Sequence, residues 1–227
     1  MIVVVGLPAY READGEGGVG GAAAGVAIAA REVGCAVELA GKVGDDAAGD
    51  AVVLALGQLG IGHAALLRDA TRPTPLLVEA EAAAGAGDEA AGDDAVGASS
   101  GARLLPEDAA ERPALEAADV ALGLQYLPAT SVVVLAEPLP AEAVAAAVEQ
   151  AAFCGSQLVV VSASGAALPA LPAGVTALEA PPDDDGAFAR LVGVFAAGLD
   201  GGLPAAEAFA AAVGSTGWEE ISGDDPS

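Results

Sequence analysis

Gly20-Gly21-Ala22-Ala23-Ala24-Gly25-Val26-Ala27 and, one helix later, Gly41-Lys42-Val43-Gly44-Asp45-Asp46-Ala47-Ala48-Gly49-Asp50 decide how this 227-residue chain folds. Two glycines ahead of a small-residue helix let backbone N–H groups and the helix N-terminus face a polar ligand. The β-branched run Ile2–Val5 before them, ended by Gly6, predicts a buried parallel strand. A helix is predicted over Gly21–Val33, a strand over Ala36–Ala40, a helix over Ala47–Leu59 that stops at Gly60, and a strand over Pro75–Glu79. Pro106–Ala118 carries helix-start signals, with proline first and Glu107 and Asp108 in the opening turn. The strand Ser131–Leu135, helix Pro140–Phe153 and strand Gln157–Ser162 form a right-handed crossover unit. Val175–Glu179 is a last short strand, and Gly186–Leu199 and Pro204–Val213 are apolar helices. This alternation predicts a doubly wound, Rossmann-like, mostly parallel α/β sheet with helices on both faces. One domain over 1–227 is expected, with a low-complexity loop at 80–101 and a flexible tail at 222–227.

Composition narrows the function classes. There are 33 acidic residues against 8 basic ones, and Lys42 is the one lysine. Such a surface repels nucleic acid and anionic membranes, so neither is an expected partner. The acids are scattered rather than clustered, which fits a solvated surface adapted to high salt. At molar salt the Debye length shrinks to about 3 Å and the self-repulsion is screened. Aromatic residues make up only 3%, so the core is built from Val, Leu, Ile and Ala. Cys35 and Cys154 form no disulfide framework and have no metal-ligand spacing; both read as small buried thiols. His63, the one histidine, follows Gly62 in a turn and reads as structural. No run reaches membrane-span length without Gly or charge, and the N-terminus lacks a signal-peptide pattern. A cytoplasmic protein is the expectation.

A second signature lies near the end: Asp183-Asp184-Asp185-Gly186-Ala187-Phe188-Ala189, running into an apolar helix. With the Gly20 to Gly49 region, the x-x-x-Gly-Ile turn at Leu56–Ile61 and the segment Arg68-Asp69 with Thr71–Thr74, the layout resembles the PfkB/ribokinase family of sugar and nucleoside kinases. The resemblance implies a ribokinase-like fold, and ATP with Mg²⁺ as cofactors if the chain is active. It implies substrate contacts at Arg11, Gly20, Gly21, Gly25, Glu137 and Ser162, and a phosphate-binding anion hole at Gly186, Ala187 and Phe188. It also puts the catalytic base at Ala189.

The departures from the family pattern concern chemistry. Gly25 stands where the family has a sugar-binding Asn, and Arg11 where it has a substrate-binding Asp. Phe188 replaces the second glycine of the anion hole, and Ala189 replaces the general base. Asp185 is the alternative base if the register shifts. Glu137, in Leu135-Ala136-Glu137-Pro138, stands where the family often has a sugar-contacting glutamate; an exposed strand-end acid is the other reading. Ser162 replaces a family Asn, Lys42 reads as a strand-end surface residue, and no metal site is expected. Gly85-Ala86-Gly87-Asp88 spells the phosphate motif's core literally but lies in the low-complexity loop, where chance explains it. The lid strands of the family have shrunk to the Gly-rich run from Glu12 to Val19, so the lid is expected to be largely missing. The short stretch between Leu171 and Asp183 leaves no room for the strands that flank the nucleotide. These losses point to a catalytically degenerate relative that binds a small molecule, sugar-like or nucleoside-like, or a protein. An active sugar or nucleoside kinase with a rearranged site is the alternative. A monomer, or a homodimer that does not use the lid, is expected.

Overall fold

The computed structural model describes residues 1–13, 16–78, 103–165, 171–181 and 186–218. The low-complexity loop, the tail and the literal motif at residues 85–88 lie outside them, as does Asp185. Ten strands and six α-helices are described. They run β1 (Ile2–Val5), β2 (Ala9–Ala13), β3 (Glu16–Gly20), α1 (Ala22–Glu32), β4 (Val37–Gly44), α2 (Ala47–Gln58), β5 (Leu66–Asp69) and β6 (Leu76–Val78). There follow β7 (Arg103–Leu105), α3 (Ala117–Gln125), β8 (Val132–Leu135), α4 (Ala141–Cys154), β9 (Gln157–Ala163), β10 (Thr176–Ala180), α5 (Ala187–Asp200) and α6 (Ala205–Thr216).

Six strands form a parallel sheet in the order β10-β9-β8-β1-β4-β5. β1 is its centre, and all four of its residues are buried, as continuous β-branched runs in parallel sheets are. The two-residue period of the strand then divides the core. Ile2 and Val4 join α1, α5 and α6 on one face, while Val3 and Val5 join α3 and α4 on the other. This is the doubly wound arrangement, with helices on both faces, expected from the alternating pattern.

Two expectations are corrected. The lid is present: β3-β2-β6-β7 form a second, four-stranded sheet, with β2 and β3 an antiparallel hairpin and β6 running parallel to β2. The glycines that suppress strand propensity here make room for an aromatic ring. A Cβ on Gly17 would lie 2.7 Å from the ring of Tyr10, which packs half-buried against the core. The ground for expecting a dimer that avoids the lid therefore falls away. The helix expected over Pro106–Ala118 is also displaced. Pro113 interrupts that stretch, because an interior proline removes a helical N–H and clashes with the preceding turn. The chain makes a short 3₁₀ turn at Ala109–Glu111 instead. α3 begins after Glu116, whose backbone N–H donates to Asp119 Oδ2 at 3.0 Å.

Candidate functional site

The chain order reverses on either side of β1, and ligands of open α/β sheets bind beyond the carboxyl ends of strands at such a point. A cleft of about 110 Å³ opens there. Its walls come from Ala22 and Val26 of α1, the segment Ala136–Pro138 after β8, Val161 of β9, Ala180 of β10, and Phe188, Ala189 and Val192 of α5. Glu137 is the one ionisable side chain in that lining.

α1 and α5 meet at the cleft because both carry glycine where they touch. A Cβ on Gly193 would lie 2.5 Å from the carbonyl oxygen of Val26 and 2.7 Å from the Ala29 methyl. A Cβ on Gly25 would lie 2.9 Å from the Ala189 methyl. The two positions expected to carry substrate and base chemistry, Gly25 and Ala189, thus face each other as small residues in one tight helix crossing. Each helix also starts on a glycine at positive φ, Gly21 at 88° and Gly186 at 94°.

Glu137 sits half-buried at the base of the cleft, just past β8. Its Oε1 accepts the backbone N–H of Leu7 at 2.6 Å, and Oε2 has no hydrogen-bond donor among the described residues. Burial pushes its carboxyl up to about 7; the Leu7 N–H and the nearby Arg112 charge pull the other way and are outweighed. Glu137 is therefore no ordinary exposed strand-end acid. Arg112 donates through Nη2 to the Glu107 carbonyl at 2.8 Å, while its buried Nε has no acceptor among the described residues. At the far wall Phe188 is buried and its ring packs on Trp218, centroids 5.7 Å apart at a 56° tilt.

The first signature folds into a different kind of centre. Asp46 caps α2 by accepting the Gly49 N–H at 2.8 Å. It also accepts the Thr74 hydroxyl at 2.6 Å and the Thr74 N–H at 2.8 Å. The same hydroxyl accepts the Gly44 N–H at 2.9 Å, and Arg68 donates to the Gly44 carbonyl at 3.0 Å. Burial raises the Asp46 carboxyl, but the Thr74 hydroxyl and amide, the Gly49 amide and Arg68 together hold it below its ordinary value. This knot fastens β4, α2 and the segment before β6 and leaves Asp46 fully occupied.

The cleft brings together Glu137, Phe188 and Ala189. Gly186 and Ala187 stand at the start of the α5 helix beside it. Gly25 backs the cleft through its contact with Ala189. Arg11 lies exposed on β2, and Gly20 ends β3 under Leu77, so neither lines the cleft. Ser162 is buried and its hydroxyl donates to the Leu178 carbonyl at 3.4 Å, outside the lining. Lys42, expected on the surface, is half-buried and pairs with Asp119 at 2.6 Å. His63 contacts the Ile61 carbonyl through Nδ1 at 3.3 Å, in keeping with a structural role. Both cysteines are free and half-buried rather than fully buried. Sequence reasoning passed over Leu7, Arg112 and Trp218. Only Trp218, the one tryptophan of the chain, carried a signal that could have flagged it. Among the described residues, no group of three His, Cys, Asp or Glu side chains is arranged to hold a metal ion, and no helix is long and apolar enough to cross a membrane.

The family model described as pfkB family carbohydrate kinase matches residues 6–180. No curated protein matches the chain. Among solved structures, it is similar to an Arabidopsis thaliana ribokinase complexed with ribose and ATP, at 13% identity and TM-score 0.61, over 95% of this chain and 90% of that one. It is similar to a putative Escherichia coli ribokinase II in its apo form, at 13% identity and TM-score 0.62, over 93% of this chain and 89% of that one. A Xylella fastidiosa fructokinase with bound ATP aligns at 16% identity and TM-score 0.53 over 86% of this chain, which spans only 55% of that enzyme's length. At these identities the structural likeness speaks for the fold.

Proposed function

Because the chain belongs to the pfkB family of carbohydrate kinases, we propose that it is a member that has lost phosphoryl transfer and acts by binding a small molecule in the cleft beyond β1 and β8. The observation that carries this reading is the packing of Ala189 against Gly25, which leaves the family's base position without a carboxylate and the facing position without a side chain. Loss of a general base alone commonly costs about 10²–10⁴ in rate. Here it coincides with Phe188 at the anion hole, its ring packed on Trp218.

Among the described residues, those that line the cleft do not fit a magnesium nucleotide. The sheet ends at β10, and α5 begins seven residues after it, at Ala187. Phe188 stands where a second glycine would let backbone approach phosphate. No catalytic step is therefore derived through ATP or Mg²⁺. The chain works in this reading as a single ribokinase-like unit, and its acid-rich surface is a solvated one suited to a salt-rich cytoplasm.

Thermal-shift titration with MgATP in high salt tests the loss. Saturating ligand at about 100 times Kd would add roughly 2.7 kcal/mol, a rise of roughly 5–10 °C in Tm for a chain of this size. No rise is expected, and a saturable one would overturn the proposal. The alternative, an ATP-dependent sugar or nucleoside kinase with a rearranged site, draws on Glu137, whose carboxyl near 7 suits a proton acceptor.

A further inference from the structure

We propose that the cleft takes a small neutral aliphatic alcohol, its hydrocarbon body against the apolar walls and its single hydroxyl donating to Oε2 of Glu137. This rests on the reading of the cleft as one that no longer transfers phosphate. The lining offers one polar side chain and otherwise carbon, from Ala22, Val26, Val161, Phe188 and Val192. Its volume of about 110 Å³ is small beside the roughly 300–1,000 Å³ of ligand pockets. Oε1 is already taken by the Leu7 N–H, so the free acceptor is Oε2.

Counting donors selects the ligand class. A sugar would bring several hydroxyls into a pocket with one free acceptor, and each stranded hydroxyl weakens binding about fivefold or more. A ligand with one hydroxyl strands none. An ammonium would lose its water in an apolar pocket, a penalty of several kcal/mol per ion. It would also meet the Arg112 charge, which already faces Glu137 and is the one other charged group acting on it. A neutral donor avoids both penalties.

Trp218 packs on Phe188 at the cleft wall, so its emission reports occupancy. The full chain is titrated with 1-butanol, ribose and n-butylammonium in the same high-salt buffer. A saturable change in Trp218 emission is expected for 1-butanol, with ribose and n-butylammonium at least about tenfold weaker. Glu137→Leu is expected to weaken 1-butanol about tenfold or more at unchanged circular dichroism. Ala22→Leu, at the exposed lip of the cleft, is a second variant that narrows the site without touching the core, and it should also abolish the response. Ribose or n-butylammonium binding as tightly as 1-butanol would overturn the proposal, as would an unchanged affinity in Glu137→Leu. Either result leaves the loss of phosphoryl transfer standing. That loss fails separately, on a MgATP response.

Discussion

Two parts of the molecule carry the stretches that resemble kinase signatures, and they differ in what their side chains hold. Around Gly44–Asp46 polar groups of the chain hold one another: Asp46 holds Gly49 and Thr74, and Thr74 holds Gly44. At the crossing of α1 and α5 the residues are small or aromatic: Gly25 backs onto Ala189, and Phe188 packs on Trp218. The first centre fastens strands and a helix start, a job the fold needs whatever the chemistry. The second, in the proposed reading, has lost the chemistry that would keep it polar. Structural motifs and catalytic motifs can thus be told apart by what their side chains bind: the scaffold or a ligand.

The helix crossing should be the less forgiving of the two. Gly193→Ala places a methyl 2.5 Å from the Val26 carbonyl and forces α1 and α5 apart. A loss of about 3 kcal/mol is expected by equilibrium urea unfolding. A loss below about 0.5 kcal/mol would mean that the helices are not so closely packed.

Glu137 sharpens the contrast through pH. Its carboxyl is raised in the fold, to about 7, above the ordinary value of 4.5. The folded state therefore holds a proton that the unfolded state releases, and stability declines as pH rises from about 4.5 to 7. Glu137→Gln removes that decline, so the variant should gain about 3 kcal/mol over the parent at pH 8 and little at pH 4. Parallel pH slopes for the two proteins would contradict a cleft dry enough to shift the carboxyl.

Asp46 has the opposite sign. Its carboxyl is held low in the fold, so its contribution is complete above about pH 4 and lost as pH falls through the lowered folded value. Asp46→Ala should cost about 1–2 kcal/mol at pH 7 through the lost helix cap and the stranded Thr74 hydroxyl. It should also flatten the acid limb of the unfolding curve. The smallest effect is expected at Lys42→Met, about 1 kcal/mol, because a half-buried pair with Asp119 offsets little more than its own desolvation. Binding in the cleft should be unchanged.

Much of the fold was legible because its strands are continuous β-branched runs, Ile2–Val5 and Val132–Leu135 above all, and its helices stop at glycines such as Gly34 and Gly155. The lid hairpin was not, because Gly17, Gly18 and Gly20 carry no strand propensity, and the space they leave is filled from other strands and positions, by Tyr10 at Gly17 and by Leu77 at Gly20. α3 was misplaced because start signals at Pro106 are local, while Pro113 decides where the helix can run. At the site, Ala189 and Phe188 stood out as departures from the pattern that the chain resembles. Their surroundings were not: the Leu7 N–H on Glu137, the Arg112 charge and the return of Trp218 onto Phe188 are long-range contacts with no sequence periodicity.

The central claim, that this family member no longer transfers phosphate, is tested most directly by coupled ADP release over a panel of sugars and nucleosides with MgATP in molar KCl. Release at the no-protein rate for every acceptor is the predicted result. Acceptor-dependent turnover that Asp185→Ala abolishes would contradict it.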